Sequence, residues 1–130
     1  MQEIDQTYEI HAPLARVWQA FVDPAIIEQW GGGPAVMSDH KGDTFRLWGG
    51  DIHGTNIDVI SGRVLEQNWY SGNDWPSPSR VTFSFDEKDG VTTVHLLHQD
   101  VPAHERAAIA EGWKDYYLGP IKQLLESQLP

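Results

Sequence analysis

The sequence predicts an α+β fold in which a curved antiparallel sheet of about six to seven strands wraps around one long C-terminal helix, with two short helices after the first strand. Three observations predict it. From Pro102 to Leu129, the apolar residues Ile109, Ala110, Trp113, Tyr116, Tyr117, Ile121, Leu124 and Leu125 recur at three- and four-residue intervals, the period of one helical face. From Ala35 to Asp100 the helical period vanishes, and short β-branched and aromatic runs alternate with turn formers, the pattern of an antiparallel meander. Before that meander stand one alternating stretch and two short apolar stripes, each with a proline near its start. A sheet with one wet face has its other face to cover, and only the terminal helix, roughly 40 Å long at about 1.5 Å per residue, reaches across it.

Taken in order, Ile4, Tyr8 and Ile10 face one way and Asp5, Thr7 and Glu9 the other, a half-buried strand in whose apolar row Gln6 is a gap. Pro13 suits a first helical position, and Leu14, Val17, Trp18 and Phe21 make one stripe. Asp23 is placed to cap a second helix that opens at Pro24, presents Ile26, Ile27 and Trp30, and stops at Gly31-Gly32-Gly33-Pro34. A strand is expected over Ala35 to Asp39, followed by one with Phe45 and Leu47 on one face and Arg46 and Trp48 on the other. In the next strand His53, Thr55, Ile57 and Val59 share a parity, while Asn56 and Asp58 point oppositely. Leu65, Gln67 and Trp69 align in the strand after it; Ser71 to Ser79 is a long polar loop carrying an isolated Trp75. Val81, Phe83 and Phe85 alternate with polar residues, Asp89-Gly90 closes a hairpin, and the last strand sets Val94, Leu96 and His98 against Thr93, His95 and Leu97. Within the terminal helix, Pro120 removes a backbone donor and crowds the preceding turn, which predicts a kink or local break near Tyr116.

At 130 residues the chain fits one domain, 1–130, able to bury about two thirds of its unfolded surface. Nineteen acidic against nine basic residues give a charge of −10, which repels phosphate backbones and excludes nucleic acid as a partner. No basic amphipathic segment is available for an anionic membrane, and no window approaches the ~20 apolar residues that span one. MQEIDQTYEI has neither a positive leader nor an apolar core, so a cytoplasmic location is expected. There is no cysteine, hence no disulfide, thiolate site or cysteine nucleophile.

The motifs carry little catalytic chemistry. His95 and His98 are three apart on a strand and so face opposite ways, unfit to chelate one metal. The triple glycine lacks the lysine and helix of a phosphate cradle. No metal and no cofactor is expected. His53 and His98, in parity with apolar neighbours, are candidate hydrogen-bonding or acid–base groups at a pocket. Trp69, Phe83, Trp113 and Tyr117 share faces with residues that must point inward and are the candidate pocket lining.

These residues also carry a family resemblance. IHAPLARVWQAFVDPAIIEQW from Ile10 to Trp30, GDTFRLW ending at Trp48, Gly54, RVLEQNWY ending at Tyr70, SRVTFSF, TTVHLLHQDVP and GWKDYYLGPIKQLLE together resemble the SRPBCC superfamily of START-like, Bet v-like helix-grip proteins. The branch is similar to the C-terminal domain of the activator of heat-shock protein 90 ATPase. The resemblance implies a helix-grip fold with a cavity between sheet and helix for a hydrophobic or aromatic small molecule, rimmed by the glycines after Trp30 and the loop around Trp75. It implies two alternatives as well, a chaperone-associated protein-interaction module and a polyketide cyclase- or hydrolase-like enzyme with a histidine acid–base. The expected partners are thus a hydrophobic small molecule or a chaperone or other protein, with the chain a monomer or homodimer.

Overall fold

A computed structural model describes residues 2–128. Six strands form one antiparallel sheet: β1 Gln2–Ile10, β2 Thr44–Leu47, β3 Ile52–Ile60, β4 Val64–Ser71, β5 Ser79–Lys88 and β6 Val91–Val101. Their spatial order is β1-β6-β5-β4-β3-β2. Thus the meander runs uninterrupted from β2 to β6, and β1 closes the far edge against β6. Between β1 and β2 come α1 Leu14–Val22 and α2 Pro24–Trp30. The expected architecture, with its helix-grip arrangement, is the one observed.

The short helices form where local chemistry starts and stops them. Asp23 Oδ1 accepts from the Ala25 backbone N–H at 2.9 Å, Pro24 supplies the first turn, and Gly31 ends α2 at φ 105°, a left-handed position that glycine occupies without a Cβ penalty. Together α1 and α2 bury Val17, Trp18, Phe21, Ile27 and Trp30. Phe21 meets Phe83 at 4.8 Å and Phe85 at 5.0 Å between ring centroids, both edge to face, a geometry that adds about 0.5–1.5 kcal/mol per pair beyond area burial.

Two expected strand features differ. The stretch from Ala35 to Asp39 contributes a single bridge, Val36 to Arg46, instead of a strand. In β3 the register slips between Asn56 and Asp58, so Ile57 is an extra residue. The bulge reverses side-chain parity across it. Asn56 therefore lies buried opposite Gln67, Val59 pairs with Leu65, and His53 sits on the outer face opposite Tyr70. The inward placement expected for His53 is corrected by this one residue.

The terminal helix is broken into parts. A tight turn at Ala103–Glu105 leads into α3 Arg106–Gly112; a π-helical turn spans Trp113–Leu118; α4 runs Gly119–Ser127. Leu129, included in the expected helix, lies outside the described residues. The predicted break near Tyr116 is this wide turn, whose last bond runs from the Gly119 N–H to the Lys114 carbonyl, five residues back. Glycine is required there: a Cβ at position 119 would stand 2.2 Å from the Lys114 oxygen. It also relieves the clash that a proline imposes on a preceding helical residue. α4 buries Ile121 and Leu125, and the π turn buries Trp113, Tyr117 and Leu118, whereas α3 buries no residue fully and packs Ile109 and Ala110 half-buried against the core. The first half of the helix meets the sheet at its β1 edge, where Gln6 Nε2 donates to the Ala110 carbonyl at 3.0 Å and Arg106 Nε to the Glu3 carbonyl at 2.8 Å.

Candidate functional site

The space beneath α3 is a cleft of about 410 Å³. Its floor comes from the ends of β3 and β4 through Ile52, Trp69 and Ser71; Trp48 and Asp51 close one side. Its roof comes from Glu105, Ala108, Ile109, Gly112, Trp113, Tyr116 and Tyr117. α3 gives this roof the small Ala108 and Gly112 and the half-buried Ile109, whereas Trp113 and Tyr117 one turn later are fully buried.

The aromatic lining is continuous with the core. Trp113 lies 5.2 Å from Trp69 and 4.8 Å from Tyr117, and Tyr117 lies 4.8 Å from Trp30 and 6.1 Å from Trp48. Trp48 is held at φ 50°, a region that bulky residues rarely adopt. Its N–H donates to the Gly32 carbonyl at 2.8 Å and the following Gly49 N–H donates to Pro34 at 3.0 Å, so the triple-glycine stretch pins the turn that aims Trp48. Burial pushes the Tyr117 phenol well above its usual range. The Trp69 indole Nε1 is buried without a hydrogen-bond partner among the described residues.

Behind this lining sits a closed polar relay. Trp113 Nε1–H donates to His98 Nδ1 at 3.0 Å, which makes Nδ1 an acceptor and leaves the ring proton on Nε2. Nε2 then donates to Ser79 Oγ at 2.7 Å, and Ser79 Oγ–H donates to the Trp69 carbonyl at 2.7 Å. The ring is fully buried, and burial lowers its pKa from 6.5 to about 3. His98 therefore stays neutral, with both nitrogens occupied.

The structure brings three of the expected site residues, Trp69, Trp113 and Tyr117, to the cleft. Phe83 and His98 lie one layer behind: Phe83 packs 5.6 Å from Trp113 and 5.8 Å from Tyr117, and His98 packs 5.6 Å from Trp113. His53 is not brought in. It stacks on Tyr70 at 5.1 Å, and its Nε2 is 3.0 Å from the Gly72 carbonyl. No group of three or more metal-ligating side chains occurs among the described residues.

Two side chains outside the candidate lining tie the site together, one of them in the loop expected at the rim. Trp75 folds the loop after β4 back over the site, stacking at a tilt 6.0 Å from Trp69 and donating Nε1–H to Glu105 Oε2 at 2.5 Å. Gln6 links β1 to the helix: its Nε2 donates to the Ala110 carbonyl at 3.0 Å and its Oε1 accepts from Tyr8 OH at 2.6 Å. Its interruption of the apolar row in β1 was the visible signal.

Comparison with known proteins fits this architecture. The profile described as activator of Hsp90 ATPase homolog 1-like protein matches residues 11–126. This chain is a member of that family. An uncharacterized protein of Schizosaccharomyces pombe is 28% identical over 122 residues, covering 92% of this chain and 36% of its own length. The human activator of 90 kDa heat shock protein ATPase homolog 1 is 24% identical over 109 residues, covering 82% of this chain and 32% of its own. The chain thus spans about a third of the length of these curated relatives. The crystal structure of a Plasmodium falciparum HSP90 activator superposes with a TM-score of 0.85 at 24% identity, covering 97% of both chains. At that identity the likeness shows a common fold. No helix among the described residues is long and apolar enough to cross a membrane.

Proposed function

We propose that the chain binds a hydrophobic or aromatic small molecule in the cleft between the sheet and α3. The observation that carries this is an aromatic-lined space of about 410 Å³ beneath a helical segment that buries no residue fully, within the range of about 300–1,000 Å³ usual for small-molecule sites. Neither histidine supports a catalytic reading: His53 is on the outer face, and His98 is neutral, enclosed and fully hydrogen-bonded.

Ala108 offers the test. It lines the cleft from α3 and is otherwise exposed, so Ala108→Trp fills the space without disturbing the core. Binding of an environment-sensitive naphthalene dye, followed by fluorescence and by indole shifts of Trp69 and Trp113, is expected in the parent chain and lost in the variant at unchanged unfolding midpoint. Equal dye binding by both proteins removes the cleft as the site.

A second reading, a chaperone-associated interaction module, draws on the relatives named as Hsp90 ATPase activators. Scaffold alone does not carry that activity. Titrating the purified chain into a purified heat-shock protein 90 and measuring both association and ATPase rate decides it; no association at high micromolar concentration ends this reading.

A further inference from the structure

We propose that the cleft selects a small ligand bearing positive charge, an aromatic or aliphatic ammonium compound. The inference rests on the small-molecule reading above and adds a charge to the ligand.

Five aromatic side chains line the space, Trp48, Trp69, Trp113, Tyr116 and Tyr117, and the charged groups that join them are the carboxylates of Asp51 and Glu105. No lysine, arginine or histidine belongs to the lining. Aromatic faces attract cations through the ring quadrupole, and desolvation strengthens the attraction. Neighbouring rings are inclined to one another, by 30° for Trp69 and Trp113, 48° for Trp113 and Tyr117, and 66° for Trp48 and Tyr117. The lining therefore curves around its contents instead of forming one flat wall. Glu105 is fixed in position because its Oε2 receives the Trp75 indole proton, while the exposed His104 ring lies 3.5 Å from the same oxygen.

An anionic guest fares worse on the same surface. The lining holds no cation, so a carboxylate or sulfonate would shed water without meeting a compensating charge. The overall charge of −10 acts in the same direction.

Three probes of similar shape test the proposal: phenyltrimethylammonium, its neutral isostere tert-butylbenzene, and benzenesulfonate. Binding is read from the indole N–H resonances of Trp69 and Trp113 at low and high salt. The ammonium probe is expected to bind about tenfold more tightly than the neutral isostere at low salt, with the ratio shrinking as salt rises, and the sulfonate not at all. In the double variant Asp51→Asn with Glu105→Gln the ratio is expected to fall severalfold; the new amide still offers an oxygen to the Trp75 indole, so the loop stays tied. A neutral isostere that binds as well as the cation, or a sulfonate that binds best, overturns the charge preference while leaving the cleft reading standing. A cation preference unchanged in the double variant removes these carboxylates as its source. Silence from all three probes sinks both readings.

Discussion

Replacing His98 with glutamine converts the buried relay into a measurement of pH-dependent stability. The folded imidazole titrates at about 3 because burial disfavours its charged form, against 6.5 in the unfolded chain. Between those values the unfolded state binds the extra proton, so stability is complete above pH 6.5 and drains away as pH falls toward 3. Two proton-binding curves with those midpoints give a loss of about 1.4 kcal/mol between about pH 7.5 and about pH 5.5 from this residue alone. That is a sizeable part of the roughly 5–15 kcal/mol typical of a domain. His98→Gln retains an acceptor for Trp113 and a donor for Ser79 but cannot titrate. The window also stays above the isoelectric point of about 4.8, where the chain keeps a net negative charge that opposes association. Urea unfolding followed by tryptophan fluorescence, at half-unit steps of pH in both proteins, isolates the effect as the difference of two slopes and cancels the other histidines. The parent should lose about 1.4 kcal/mol more than the variant across the window, whatever their absolute stabilities. Parallel slopes would refute the assignment of a neutral, enclosed imidazole.

Three further outcomes follow from single contacts. Gly119→Ala drives a Cβ to 2.2 Å from the Lys114 oxygen and should cost about 2–4 kcal/mol of stability in denaturant unfolding, by backbone strain; a loss under about 0.5 kcal/mol would mean the wide turn relaxes freely. Trp75→Phe keeps the packing on Trp69 but deletes the bond to Glu105, and should cost about 1 kcal/mol together with faster amide exchange over residues 71–79; unchanged exchange there would show that packing alone holds the loop. Gln6→Leu removes the link to the Ala110 carbonyl and the acceptor of Tyr8 OH, a loss of about 1–3 kcal/mol that thermal unfolding would register. An equal or higher melting temperature would leave Gln6 without a structural role.

What could be read from the chain depended on how locally each feature is encoded. Trp69, Trp113 and Tyr117 turn inward as their two-residue and three- to four-residue periods require, because those periods are short-range properties of their own segments. The break in the terminal helix announced itself through Gly119-Pro120. The inward placement of His53 failed because one bulged residue, Ile57, inverts a parity argument, and nothing in the residues around it marks the slip. Asp51, Glu105 and Ala108 went unnoticed as cleft residues for another reason: they meet only after the β2–β3 turn and the start of α3 are brought together in space. The partner of His98 was equally hidden, since the Trp113 indole reaches it from the helix across the grip. Gly54 shows the intermediate case. It stood out in the sequence, but that a Cβ there would lie 2.0 Å from the Asn68 carbonyl needs the neighbouring strand.

The wide turn at Trp113–Leu118 holds one residue more than a regular helix would use for the same advance. Each residue of an α-helix turns the chain by about 100°, so that surplus dials α3 around its own axis relative to α4. Deleting a single residue within the turn would leave α4 seated on the sheet and swing Ala108, Ile109 and Gly112 away from the cleft, presenting a different arc of α3 in their place. Small changes in length at this one spot would thus reshape the cleft's roof while the strands beneath stay constant.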